Sequence, residues 1–456
     1  MEIVEKKAVP IKSWCILAGL LLFFGGMLAR YGVGCYNDSE QYITMHIHRE
    51  PLYPLFLAFF RGLFGDGYLT VAAAVQGILT ALGIWTLTGY LAARFGLRLW
   101  EELLVLLLQI LPHLVIRYVS ALNIFIENSV MSEALCFPLF SFFICFFLRM
   151  LLEDRWQDAV ISLLLAWLLS LTRGQMMTTI LLWALLFFGK LAIKKKYRLL
   201  FIPLAAVVFS FVLRTLTVHV YNYAVTGYFM GNTYGKVNTL TNVIYACDEE
   251  DGEVFPEGSL ERTFFDDFYK KAMERGLNHA FGGERFGERA AHLEEKHDEL
   301  KFDVLEAGFS VYYFGLGEVD YYEQSSMSDE MAGRMIAKLL PACLGQWLYD
   351  YVLLCRNGFV RSIAVVHPMI TPIAFLLYFL AAGLSLWQVW KKKSFQAAVV
   401  CMVALLFIAA NVCAASLTIM CLSRYMVYGF SIFYIGLYLL LREEMMAFQS
   451  KTKRRR

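Results

Sequence analysis

Apolar residues in this chain gather into long blocks of about twenty, the length a helix needs to cross some 30 Å of hydrocarbon. The blocks fall at roughly 13–33, 68–92, 101–119, 130–148, 158–172, 175–192, 199–222, 367–390, 395–420 and 425–441, which predicts ten spans. The run from 158 to 192 is too long for one helix, and Thr172, Arg173, Gly174 and Gln175 interrupt it. A tight turn there sends a short helix out and another back, leaving Arg173 at a membrane face. Residues 52–64 are apolar but too short to span, and read as a helix along the outer interface before Gly65, Asp66 and Gly67 turn the chain inward.

Polar residues matter most where they interrupt this pattern. Between Tyr36 and Phe60 the chain packs Asp38 and Glu40, then His46, His48, Arg49 and Glu50, then Pro51 and Pro54, into a segment flanked by membrane. Tyr42, Met45 and Arg49 recur at helical spacing from Asp38, predicting a helix over 37–50. Asp38 with Gln41 fits a helix cap, but a cap alone does not account for so much charge. Glu133 opens the fourth span after Ser132; an ionised group costs ~2.5–3.5 kcal/mol at a helix centre and less near the interface, where it also neutralises the helix N-terminus.

Composition sharpens the class. With 59% hydrophobic and 18% charged residues, the chain reads as an all-α polytopic membrane protein. Lys and Arg set its orientation: with Lys6, Lys7 and Lys12 cytoplasmic, ten spans also put Arg94, Arg98, Arg149, Arg155, Lys194–Lys196, Lys391–Lys393 and the tail Lys453–Arg456 inside. The first block lacks a small-residue cleavage site and reads as a signal anchor. Four regions result: a transmembrane module over 1–222 with an external loop at 34–67, an external region over 223–366, further spans over 367–441, and a basic cytoplasmic tail over 442–456 that meets membrane lipids. The external region carries 24 acidic against 13 basic residues, which excludes nucleic acid as a partner. It reads as helices over about 260–308 and 327–356, its charged stretch 282–303 being a solvated helix face, and as a helical cap that helps choose an acceptor. Ten scattered cysteines without a CxxC pair indicate no zinc site, while Cys35, Cys247, Cys343 and Cys355 would face outward with room for one disulfide.

The layout resembles the GT-C class of glycosyltransferases, multispanning enzymes that take a sugar from a polyprenyl-phosphate carrier. The resemblance rests on Asn37, Asp38, Ser39 and Glu40 followed by Arg49, Glu50, Pro51, Leu52, Tyr53 and Pro54 in the first external loop. Ser132–Glu133 and Arg424–Tyr425 at the openings of later spans add to it. It implies a bundle of about ten helices with juxtamembrane helices, and an acidic base in the first loop. Asp38 lacks an adjacent Glu, which leaves the base open between Asp38 and Glu40.

Topology brings Asp38, Glu40, Arg49, Glu133, Arg173 and Arg424 to one membrane boundary, with Arg117 near the end of the third span and Arg214 inside the seventh. A transferase of this kind needs a carboxylate to take the acceptor's proton and guanidinium groups for the departing phosphate. Asp38 is then the base, Arg173 and Arg424 hold phosphate with Arg117 or Arg214, and Glu133 orients Asp38's surroundings or one of the arginines. A divalent metal on Asp38 with His46 or His48 is the one cofactor suggested, against which His-x-His on a helix points its rings apart. The expected activity is hexosyl or pentosyl transfer to a lipid, glycan or protein acceptor. The alternatives are a polymerase or ligase of lipid-linked oligosaccharide, and a lipid or polysaccharide flippase or transporter. The sole sequon, Asn37-Asp38-Ser39, would put a glycan on the site, which favours a bacterial plasma membrane.

Overall fold

A computed structural model describes residues 11–36, 38–119, 125–391 and 395–455. Lys6, Lys7, Asn37, Lys392, Lys393 and Arg456, on which parts of the orientation and sequon arguments rest, lie outside them. All regular structure among the described residues is helical apart from one isolated parallel bridge, Gly34 to Ser129.

The helices run in the order α1 (Ile11–Tyr31), α2 (Ser39–Ile43), α3 (Leu52–Phe64), α4 (Tyr68–Phe95), α5 (Leu99–Val119), α6 (Glu133–Glu153), α7 (Trp156–Thr172), α8 (Met177–Ile193) and α9 (Phe201–Thr226). Then come α10 (Gly235–Ala246), α11 (Leu260–Glu274), α12 (Phe286–Glu299), α13 (Ala307–Phe314), α14 (Tyr321–Ala342) and α15 (Leu344–Ile363). The chain closes with α16 (Ile370–Trp390), α17 (Gln396–Ser416), α18 (Ser423–Met426) and α19 (Phe430–Arg455). Nine helical stretches among the described residues are long and apolar enough to cross a membrane, and α7 is a tenth apolar helix of 17 residues. The protein is therefore a polytopic helical membrane protein. Exposed Leu204, Val208, Phe209 and Val212 along α9, and Leu376 and Phe379 along α16, form the apolar surface that lipid tolerates and water does not.

The chain folds as two compact units, 1–214 with 372–407 and 427–456, and 215–371 with 408–426. In the first, Leu17, Leu20 and Phe24 of α1 pack on Ala81 and Ile84 of α4, with Leu106 and Ile110 of α5 alongside. α19 crosses α17 at Gly436, where a Cβ would fall 2.7 Å from Cys401 Cα, so no larger residue fits that crossing. A second cluster joins Tyr42, Tyr53, Leu57 and Ala72 to Val130 and Leu135, and so anchors the loop after α1 to the loop before α6.

The second unit has a core of soluble type around Leu240, Phe265, Phe268, Phe309, Met331 and Met335, none more than 1% exposed. Four helical stretches, α11, α12 with α13, α14 and α15, replace the two broad ones expected. The solvated face read over 282–303 is only partly so, because Arg289, Leu293 and His297 of α12 are buried. None of the four cysteines expected to face outward forms a disulfide: Cys247 and Cys343 are buried free thiols, Cys355 is partly buried and Cys35 is exposed.

Between α12 and α13 the chain makes a π-helical segment, Leu300–Glu306. Burial pushes the Glu306 carboxyl from 4.5 up to about 7, against the opposing pull of Lys301. An acid whose folded pKa lies above its unfolded one stabilises the fold below the unfolded pKa, and that contribution is lost as pH rises through the folded pKa. Glu306→Gln is expected to remove a decline in stability between pH 4.5 and about 7. Melting of wild type and variant across this window checks it; parallel profiles would exclude Glu306 as the source.

Candidate functional site

The site is built on two loops of the first unit. Gly34 N–H donates to Asn128 O at 3.0 Å and Val130 N–H to Gly34 O at 2.9 Å. Ser39 Oγ accepts from Tyr36 N–H at 2.8 Å and donates to Val130 O at 2.8 Å. The start of α2 is therefore fastened to the segment that leads into α6.

α2 stops after five residues, where the sequence predicted a helix to residue 50. Met45 adopts a left-handed φ of 58°, a conformation that helices do not carry. The reversal brings Arg49 back over α2: its Nε donates to Gln41 Oε1 at 2.8 Å and its Nη2 to Asp38 Oδ1 at 2.7 Å. Asp38 holds the N-cap position but makes no side-chain cap bond, and Gln41 serves Arg49, so the capping-box reading is replaced by an ion pair. The same reversal corrects the helical view of the two histidines, whose rings sit edge to face with centroids 4.3 Å apart. Burial and the nearby Arg49 charge lower the pKa of His46, which keeps it neutral. Among the described residues no group of three metal-ligating side chains is gathered.

From Arg49 a run of polar contacts crosses to α6 and α7. The guanidinium lies 4.9 Å from the Tyr42 ring centre, with Nη1 3.5 Å from the Tyr42 hydroxyl. That hydroxyl is 2.9 Å from Ser132 Oγ, which donates to Glu133 Oε2 at 3.3 Å. Arg173 Nη1 reaches Ser132 Oγ at 3.3 Å and Glu133 Oε1 at 2.6 Å. Burial raises the Tyr42 phenol, so it stays protonated and acts as a donor. Of the two roles considered for Glu133, the geometry gives it Arg173 as direct partner and links it to Asp38 through three side chains, Ser132, Tyr42 and Arg49.

Arg173 sits where the sequence broke the 158–192 run. α7 ends at Thr172, Arg173 is extended at φ −150° and ψ 131°, and Gly174–Met176 make a 3-10 turn into α8. Beside it Arg214 of α9 pairs with Glu50 and directs Nε to Ser170 O at 3.4 Å. Gly174 admits this pair closely: a Cβ there would be 3.2 Å from Glu50 Oε1.

The remaining candidates have surroundings of their own. Glu40 is exposed on α2, with its backbone carbonyl taken by Thr44. The Arg117 guanidinium lies against aromatic rings, 4.1 Å from Tyr31 and 5.1 Å from Phe125. Arg424 and Tyr425 belong to the second unit, where Arg424 Nη2 donates to the Tyr425 hydroxyl at 2.8 Å and Asn411 Nδ2 to Tyr425 O at 3.1 Å. There the His297 hydrogen bond, with smaller help from Lys301 and Arg424, holds Asp298 below the usual carboxylate range.

Sequence reasoning missed the connecting residues Tyr42 and Ser132, the role of Glu50, and a buried pair between His113 of α5 and Glu127. His113 stands next to Pro112 inside an apolar helix, and an ionisable group so placed is a signal in itself.

Fold and site together define a helical membrane protein with three acid–arginine pairs, Asp38–Arg49, Glu133–Arg173 and Glu50–Arg214, drawn from the loop after α1, the start of α6, the α7–α8 turn and α9 of one unit. No family model, curated protein or solved structure matches the chain.

Proposed function

We propose that the protein is a GT-C-like membrane glycosyltransferase that moves a sugar from a polyprenyl-phosphate carrier to a lipid, glycan or protein acceptor. The observation that carries this reading is the polar run from Asp38 through Arg49, Tyr42 and Ser132 to Glu133 and Arg173. It supplies an acid and guanidinium groups within one boundary site, the two things the reaction needs.

The acceptor hydroxyl gives its proton to Asp38 as its oxygen attacks the anomeric carbon, and the bond from that carbon to the phosphate oxygen breaks. The electron pair leaves with polyprenyl phosphate, whose added charge calls for cations. A guanidinium has five donors, so Arg173 and Arg214 can hold phosphate oxygens while Glu133 and Glu50 keep them oriented. Asp38 must exchange Arg49 for the acceptor before it takes a proton. Glu40, exposed on α2, is the weaker candidate for the base. Arg117 and the Arg424–Tyr425 pair remain candidates for phosphate on charge alone.

Supplying membranes that contain the protein with radiolabelled polyprenyl-monophosphate sugars tests the reading. Transfer into a new product is the expected result. Transfer solely from diphosphate-linked glycans would replace it with the polymerase or ligase reaction, and movement of lipid-linked sugar between leaflets without transfer would replace it with a flippase or transporter.

A further inference from the structure

The second unit has a cleft of about 420 Å³ lined by Gly283, Glu284, Arg289, Gln346 and Tyr349, within the ~300–1,000 Å³ common for small-ligand pockets. Its floor is fixed. Arg289 of α12 grips Asp350 of α15 with two parallel bonds, Nε to Oδ1 at 2.6 Å and Nη2 to Oδ2 at 2.8 Å, and both residues are buried. Gln346, Tyr349 and Asp350 lie three and four residues apart on α15 and so share one face. Gly283, at φ +75°, turns the loop that brings Glu284 to the cleft.

The Arg289 guanidinium lies 5.0 Å from the Tyr349 ring centre, and Phe286 meets the same ring edge-on at 5.8 Å. Tyr349 is thus held from two sides, yet remains 38% exposed. The buried pair joins α12 to α15 and fixes the ring at the wall of the cleft, where solvent reaches it. An aromatic face carries partial negative charge and attracts polarised C–H groups. Beside it stand an amide and a carboxylate, which suit paired hydroxyls. Arg289 is already neutralised by Asp350, and Glu284 adds a negative charge, so the cleft disfavours phosphate, sulfate and uronate.

We infer that this cleft binds an uncharged glycan, with a sugar ring stacked on Tyr349 and its hydroxyls held by Gln346 and Glu284. If the transfer reading holds, a glycan acceptor docks here; that step rests on the reading above, and the binding itself does not.

The test uses the full chain in nanodiscs with maltohexaose, cellohexaose, chitohexaose and an acidic hexagalacturonate as probes, followed by saturation-transfer NMR and titration. At least one neutral hexasaccharide is expected to bind, Tyr349→Ala to weaken it by about tenfold, and Tyr349→Phe to keep it within about threefold, since only the ring is needed. Unchanged affinity in Tyr349→Ala, no binding of any neutral probe, or tighter binding of the acidic one overturns the assignment. Asp38→Asn leaves this affinity intact, so loss of transfer and loss of glycan binding are read apart.

Discussion

Asp38→Asn is expected to lower the initial rate of sugar transfer by about 10²- to 10⁴-fold, the usual contribution of a positioned base. That corresponds to roughly 2.7–5.4 kcal/mol of barrier at 1.36 kcal/mol per decade. Asn keeps an oxygen that can accept from Arg49 Nη2, so the reversal over α2 survives while the ability to take a proton is lost. Glu40→Gln, on the exposed side of α2, is the matched comparison and should stay within about twofold. Rates are compared at equal expression, with a single symmetric gel-filtration peak as the check on folding. A full rate in Asp38→Asn would take Asp38 out of the chemistry, and a loss confined to Glu40→Gln would move the base two residues along.

The second large effect concerns stability. Glu133 is 1% exposed and Arg173 14% exposed, so Glu133→Ala leaves a guanidinium in a poorly hydrated place with Ser132 in reach. Breaking a buried pair by removing one member costs ~3–5 kcal/mol, most of it from the charge left behind. The double variant Glu133→Ala with Arg173→Ala removes that charge and is expected to be more stable than Glu133→Ala alone. Melting in detergent with a maleimide dye follows this directly, because Cys136, Cys145 and Cys401 are buried free thiols that react on unfolding. A double variant that melts below the single one would show that packing, not charge, dominates here.

What the sequence made legible were features written in local pattern. Hydrophobic blocks located the spans, and Thr172–Gln175 marked the break that takes Arg173 out of the helix. The short apolar stretch before Gly65–Gly67 did become a separate helix. Ten blocks were read, and the length criterion separates nine from α7, whose 17 residues fall just short. The pairings were not legible, because Glu133 and Arg173 lie 40 residues apart and Glu50 and Arg214 lie 164 apart, and no local pattern couples them. The reversal at Met45 was hidden for a different reason. Left-handed backbone usually announces itself through Gly or Asn, and Met gives no such signal. The helical spacing of Tyr42, Met45 and Arg49 was real in sequence and misleading in space.

The shortness of α7 has a consequence for the bilayer itself. At 1.5 Å per residue its 17 residues reach only about 25 Å, some 5 Å less than average hydrocarbon thickness, whereas the returning stretch Gly174–Ile193 has 20. Lipids alongside α7 must compress or tilt to avoid submerging its polar end, drawing headgroups down toward Arg173. A locally thinned annulus of this kind lowers the distance a long-chain lipid must travel to present its polar end, and gives the protein a preference for thin membranes over thick ones.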